Sequence, residues 1–146
     1  MYRVHGFTLA ELMVAIAIGG ILVTVGIPSY FNFIQRNTVA TTSNDLLGAI
    51  LYARSEAVRQ EATATFTPEA DGWLVESGDV TLLDHTVKSD FIAIDGDAVT
   101  YSPRGRANLV AERSIDISDK GVLESRVCLN LSGRPFIKMV EDGDCP

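Results

Sequence analysis

Apolar residues run almost unbroken through the front of the chain, then recur every three or four positions, then alternate in short bursts. Residues 7–31 hold a single charge, Glu11, among Phe, Leu, Ile, Val, Ala and Met. At 1.5 Å per residue a helix over residues 7–30 spans about 36 Å, enough to cross a bilayer's hydrocarbon core. Between residues 35 and 61, Leu46, Leu47, Ile50, Leu51, Ala57 and Val58 recur at helical spacing. That spacing predicts a continued helix with one apolar face. Asp45, Glu56, Arg59 and Gln60 are expected mostly elsewhere on its surface. Pro28 is expected to kink the helix or interrupt one hydrogen bond, and the Thr- and Ser-rich stretch 37–44 to loosen it.

Past Ala62 the period changes. Short strands are predicted at 63–67, 73–77, 80–83, 91–94, 99–101, 114–118, 126–131 and 136–140. Turn signals separate them: Pro68-Glu69-Ala70-Asp71-Gly72, Asp95-Gly96-Asp97 and Ser132-Gly133-Arg134-Pro135. Strands without intervening helices predict antiparallel sheet packed on the long helix, an α+β fold. The expected division is a leader at 1–6, a membrane helix at 7–30, its amphipathic continuation at 31–61 and a β-rich domain at 62–146.

A cleaved secretory signal is the rival reading of the apolar stretch, and three features count against it. The run exceeds the usual length, no small-residue cleavage site follows it, and it contains a carboxylate. An acid inside a membrane span costs on the order of 2.5 kcal/mol or more and normally persists only with a partner. Arg3 in the short leader supplies the positive-inside bias for a cytoplasmic N-terminus. A cut after Gly6 would create an amine at Phe7, one helical turn from Glu11. That amine could neutralise Glu11 in its own chain or in a neighbour.

Composition adds less. The chain is 47% hydrophobic and 21% charged, with a net charge of -7 that is unevenly placed. Nine acids against Lys88 occupy residues 61–101, whereas seven bases against four acids occupy residues 102–138. The overall sign argues against general nucleic-acid affinity while leaving room for a local basic patch. The two cysteines, Cys128 and Cys145, lack a metal-ligand spacing. Behind a membrane-targeting helix a disulfide is the natural expectation, with two unpaired buried thiols as the alternative.

Enzymatic chemistry finds little support. The histidines are His5, within the leader, and His85, expected to be an exposed strand or turn residue. No nucleophile motif, phosphate loop or multi-histidine set is present. Asp95-Gly96-Asp97 lacks the remaining ligands of a calcium loop and is expected to be a turn. No cofactor, metal or small-molecule substrate is expected.

Gly6-Phe7-Thr8-Leu9-Ala10-Glu11-Leu12-Met13-Val14 resembles the class III signal of type IV pilins and type II secretion pseudopilins. The resemblance implies cleavage after Gly6 by a prepilin peptidase and N-methylation of Phe7. It also implies pairing of Glu11 with the N-terminus of an adjacent subunit. Ala10 stands where the family usually has isoleucine. The run Ala53-Arg54-Ser55-Glu56-Ala57, the segment Tyr101-Ser102-Pro103-Arg104-Gly105-Arg106-Ala107 and the Cys128 … Ser132-Gly133-Arg134 … Cys145 ending are similar to the FimT/FimU/GspH group. The acidic middle matches no pattern of that group. The cysteine pair around a Ser-Gly-Arg turn points to the pilus branch more than to the secretion branch.

The resemblance implies a minor pilin in the bacterial inner membrane, its C-terminal domain periplasmic, that joins other pilins in a filament. A type II secretion pseudopilin is the structural alternative. A DNA receptor for uptake is the alternative of another class, because some FimT-like pilins carry a Gly-Arg-x-Arg motif. Here Gly133 and Arg134 match, Phe136 replaces the second arginine, and Lys138 follows. Arg104 and Arg106 would join them if the two turns lie close together. The competing expectation is a plain β-turn at Gly133-Arg134 with Phe136 in the core.

Overall fold

Thr8 starts the long helix. Its carbonyl accepts the Leu12 N–H at 3.2 Å, and its side chain takes up the free Glu11 N–H. The computed structural model describes residues 7–145; the leader, with Gly6, lies outside them. Helix α1 spans Leu9–Arg59 and continues through Pro28. Residues up to Arg36 form one unit, and those from Asn37 form a second.

In the second unit, the helix residues Val39, Leu46, Ala49, Ile50, Ala53 and Ala57 are buried. Three expectations are corrected here. Leu51 and Val58 are exposed, and Ala49 and Ala53 take the buried positions, because small residues let the helix lie close against the strands. The 37–44 stretch does not loosen: Thr42 and Ser43 are buried, and the helix is unbroken. The Ser43 hydroxyl donates to the Val39 carbonyl at 2.8 Å and shares a 3.0 Å bond with Ser125 Oγ, so the polar pair satisfies itself inside the core. Glu56, expected on the surface, is also buried, accepting hydrogen bonds from Arg59 and Gln60 that hold its carboxyl below the usual carboxylate range.

The strands are β1 (Ala64–Glu69), β2 (Gly72–Ser77), β3 (Val80–Thr86), β4 (Ile92–Gly96), β5 (Val99–Tyr101), β6 (Arg113–Asp119), β7 (Val122–Leu129) and β8 (Pro135–Met139). They form two four-stranded antiparallel sheets, ordered β3-β2-β1-β5 and β4-β6-β7-β8. All eight predicted strands exist; the one at 99–101 keeps its bounds and the other seven have shifted ends. Pro68 and Glu69 belong to β1, and Asp95 and Gly96 pair within β4 instead of turning. Strand β7 begins at Val122, four residues before the expected start, because Lys120 and Gly121 make the turn out of β6.

Alternation then builds the core. Phe66, Val75, Val99 and Tyr101 from the first sheet meet Ile94, Ile115, Ile117, Val127 and Leu129 from the second in one cluster with the helix residues. Tyr101 is fully buried, and burial pushes its phenol up to about 12 from 10.0. Its folded value is raised, so this contribution is complete below pH 10 and is lost as pH climbs toward 12. It amounts to roughly 2 kcal/mol. Denaturation at pH 9.5 and pH 11.5 should therefore show a larger loss of stability in the native chain than in Tyr101→Phe.

Candidate functional site

Two places concentrate the residues that the sequence singled out, one in each unit. The first is the start of α1. Glu11 Oε2 accepts the Thr8 backbone N–H at 2.9 Å and the Thr8 hydroxyl at 3.0 Å, while Thr8 Oγ1 accepts the Glu11 N–H at 3.2 Å. This reciprocal pair is a capping box, and it places a carboxylate at the positive end of the helix dipole. Glu11 Oε1 has no partner among the described residues. Thr8 was not singled out in the sequence, although the Thr-x-x-Glu spacing was there to read.

Beyond Glu11 the unit is apolar and uncovered. Leu9, Met13, Ile16, Ile21, Leu22 and Val25 are each at least 65% exposed. The helix is long and apolar enough to cross a membrane. So much exposed apolar surface in water would drive association.

The second place is a pair of joined turns. The Gly133 N–H donates to the Asn130 carbonyl at 2.7 Å, and Asn130 Oδ1 accepts from the backbone N–H groups of Ser132 and Arg134, which makes the expected β-turn. The Tyr101 hydroxyl donates to the Gly133 carbonyl at 2.6 Å, tying this turn to the segment carrying Arg104 and Arg106. Those two arginines and Arg134 are exposed and enter no ion pair among the described residues. Arg54 of the helix lies beside Gly105, its Nε 3.4 Å from where a Cβ would sit.

Phe136 and Lys138 are placed differently. Ile137 packs against the core, so its neighbours along β8 face the opposite side of the sheet, and Phe136 is half-buried there instead of in the core. Cys128 is joined to Cys145. Asp144 binds Arg126, which also reaches Asp116 at 3.0 Å, and the Asp144 carbonyl accepts from Lys138 Nζ at 2.6 Å. The C-terminal segment thus lies over this face and occupies Lys138, leaving Arg134 with Arg104 and Arg106. His85, expected to be exposed, is half-buried against Trp73 in β3.

The family model described as Type II transport protein GspH matches residues 42–133, and the prokaryotic N-terminal methylation motif matches residues 1–27. Two fimbrial proteins of Pseudomonas aeruginosa are 32% identical over 108 residues, covering 73% of this chain and 66% of theirs. The chain thus spans just under two thirds of the length of these curated relatives. A probable minor fimbrial protein of Dichelobacter nodosus is 46% identical over 39 residues, 27% of this chain and 24% of its own. The solved type IV minor pilin FimU of Pseudomonas aeruginosa shares the fold, with a TM-score of 0.62 at 19% identity over 78% of this chain and 96% of that one. The long helix, the two sheets and a family match over more than half of the sequence lead to one assignment: the chain belongs to the GspH family of type IV minor pilins and pseudopilins.

Proposed function

We propose that the chain is a minor subunit of a type IV pilus, held in the inner membrane by residues 7–30 until it joins a filament with other pilins. Its C-terminal domain faces the periplasm. A prepilin peptidase cuts after Gly6, and Phe7 becomes the methylated N-terminus. The observation that carries this reading is the uncovered apolar helix with one carboxylate in its first turn. Such a surface stays stable only in lipid or against other helices, and the carboxylate gives each subunit a fixed register against a neighbour's amine.

The names of the relatives favour the pilus over the secretion branch, as does the cysteine pair around the Ser132-Gly133-Arg134 turn. Surface filaments sheared from cells are expected to contain the chain in small amounts, and its deletion to reduce piliation. Normal pili with a protein-secretion defect would assign it to the secretion branch instead.

DNA binding is a second reading, favoured by the Tyr101–Gly133 bond that joins the arginine-bearing turns. Three exposed arginines suit phosphate contacts, and each phosphate neutralised steepens the salt dependence. Duplex DNA should then be retarded by the chain at low salt, with weaker retardation by Arg134→Ala. Salt-insensitive or absent binding would dismiss this reading.

A further inference from the structure

The free edge of the first sheet borders a groove that pilus assembly, as described above, does not use. Strand β3 is outermost in the order β3-β2-β1-β5, so one side of its backbone has no strand partner in the sheet. Between that strand and residues 44–52 of α1 lies a groove of about 460 Å³. Trp73 and His85, paired across β2 and β3, stack with ring centroids 4.3 Å apart and 22° from parallel. Tyr52 and Asp45 line the helix side, and Leu83 lines the strand side. Gly48 leaves the groove open, since a Cβ there would meet no atom within 4 Å.

One donor in this wall is unsatisfied. Trp73 is 2% exposed, and its Nε1 is buried without a hydrogen-bond partner among the described residues. A buried donor left unpaired is destabilising, so this wall of the groove is incompletely satisfied. Charge then selects the ligand. Asp45 is the one carboxylate of the lining, it enters no ion pair among the described residues, and the lining contains no lysine or arginine. Asp79, Asp84 and Asp90 stand against Lys88 along the neighbouring segment. A carboxylate beside aromatic faces suits a guanidinium or an ammonium group, which gains an ion pair and a cation–π contact together.

We propose that β3 and this groove form a docking site for an extended, basic strand of a partner protein. The strand adds to the open edge of β3 by backbone hydrogen bonds. An arginine or lysine side chain from the strand enters the groove and reaches Asp45. Backbone pairing supplies affinity and the groove supplies specificity, as in other cases of strand addition. In a filament the strand comes from a neighbouring subunit, a source that rests on the proposed function, whereas the site itself does not.

Trp73 is the chain's one tryptophan, so its emission reports directly on the groove. The full chain in detergent micelles is titrated with a short alternating Thr-Val peptide carrying a central arginine. Parallel titrations use the same peptide with glutamate in place of arginine, and with N-methylated backbone amides. A saturable change in Trp73 emission is expected with the arginine peptide. Binding should fall at least about tenfold with either altered peptide or with Asp45→Asn. Gly48→Phe, which fills open space, should abolish it while the circular dichroism spectrum stays unchanged. Amides of residues 80–86 should gain exchange protection with the arginine peptide alone. No response at millimolar peptide, or equal responses to arginine and glutamate peptides, would overturn the site, as would indifference to N-methylation. Such a failure in a chain that still enters sheared filaments would leave the assembly function standing.

Discussion

Glu11→Ala is expected to leave the chain inserted in the membrane and absent from filaments. Insertion should if anything become easier, because a carboxylate in a membrane span costs about 2.5–3.5 kcal/mol. Assembly should fail, because the neighbour's amine would enter lipid without a counter-charge. The Thr8–Glu11 capping box supplies a sharper comparison. Glutamine also serves at the third position of a capping box, so Glu11→Gln should keep the helix start intact while removing the charge. If the carboxylate acts through charge, both variants lose incorporation at least about tenfold, the factor that corresponds to 1.4 kcal/mol. If it acts only by capping the helix, Glu11→Gln incorporates normally. Membrane fractionation and immunoblotting of sheared filaments separate these results.

Gly133→Ala is expected to be strongly damaging to the β domain, at about 3 kcal/mol. Three effects add. The residue sits at φ 74°, where a Cβ costs about 1–2 kcal/mol. That Cβ would lie 2.4 Å from Ala107 Cβ and 2.9 Å from Tyr101 Cε1, so the turn must move away from its partner. Moving it stretches the Tyr101–Gly133 hydrogen bond, typically about 1 kcal/mol. Gly121→Ala is the control: φ is 79°, but nothing lies within 4 Å of the added carbon, so roughly 1 kcal/mol is expected. Chemical denaturation of the two variants should separate by about the clash and hydrogen-bond contributions. Equal losses would mean that the two turns are not held together as described.

The parts of the fold written in local chemistry were legible. Strand positions followed from alternation and from turn signals such as Ser132-Gly133-Arg134-Pro135, where Gly133 has positive φ, whereas the turn at Lys120 and Gly121 went unread and β7 was placed late. The helix face was misread at Leu51 and Val58, because apolar periodicity weights large residues while this helix packs through Ala49, Ala53 and Ala57. Ser43 read as a loosening residue because its buried partner, Ser125, is 82 residues away. Separation in sequence likewise hid the meeting of the Tyr101 and Gly133 turns and the stack of His85 on Trp73. At the helix start the charge of Glu11 drew attention, and the smaller signal of Thr8 beside it was passed over. Phe136 read as core because a single alternating pattern does not say which face of β8 meets the helix.

Intact-mass spectrometry of the chain recovered from cells bears most directly on the whole account. A polypeptide beginning at Phe7 with one added methyl group, and so retaining Glu11, is the predicted species. A mature chain that starts downstream of Glu11, released from the membrane without its apolar helix, would contradict it.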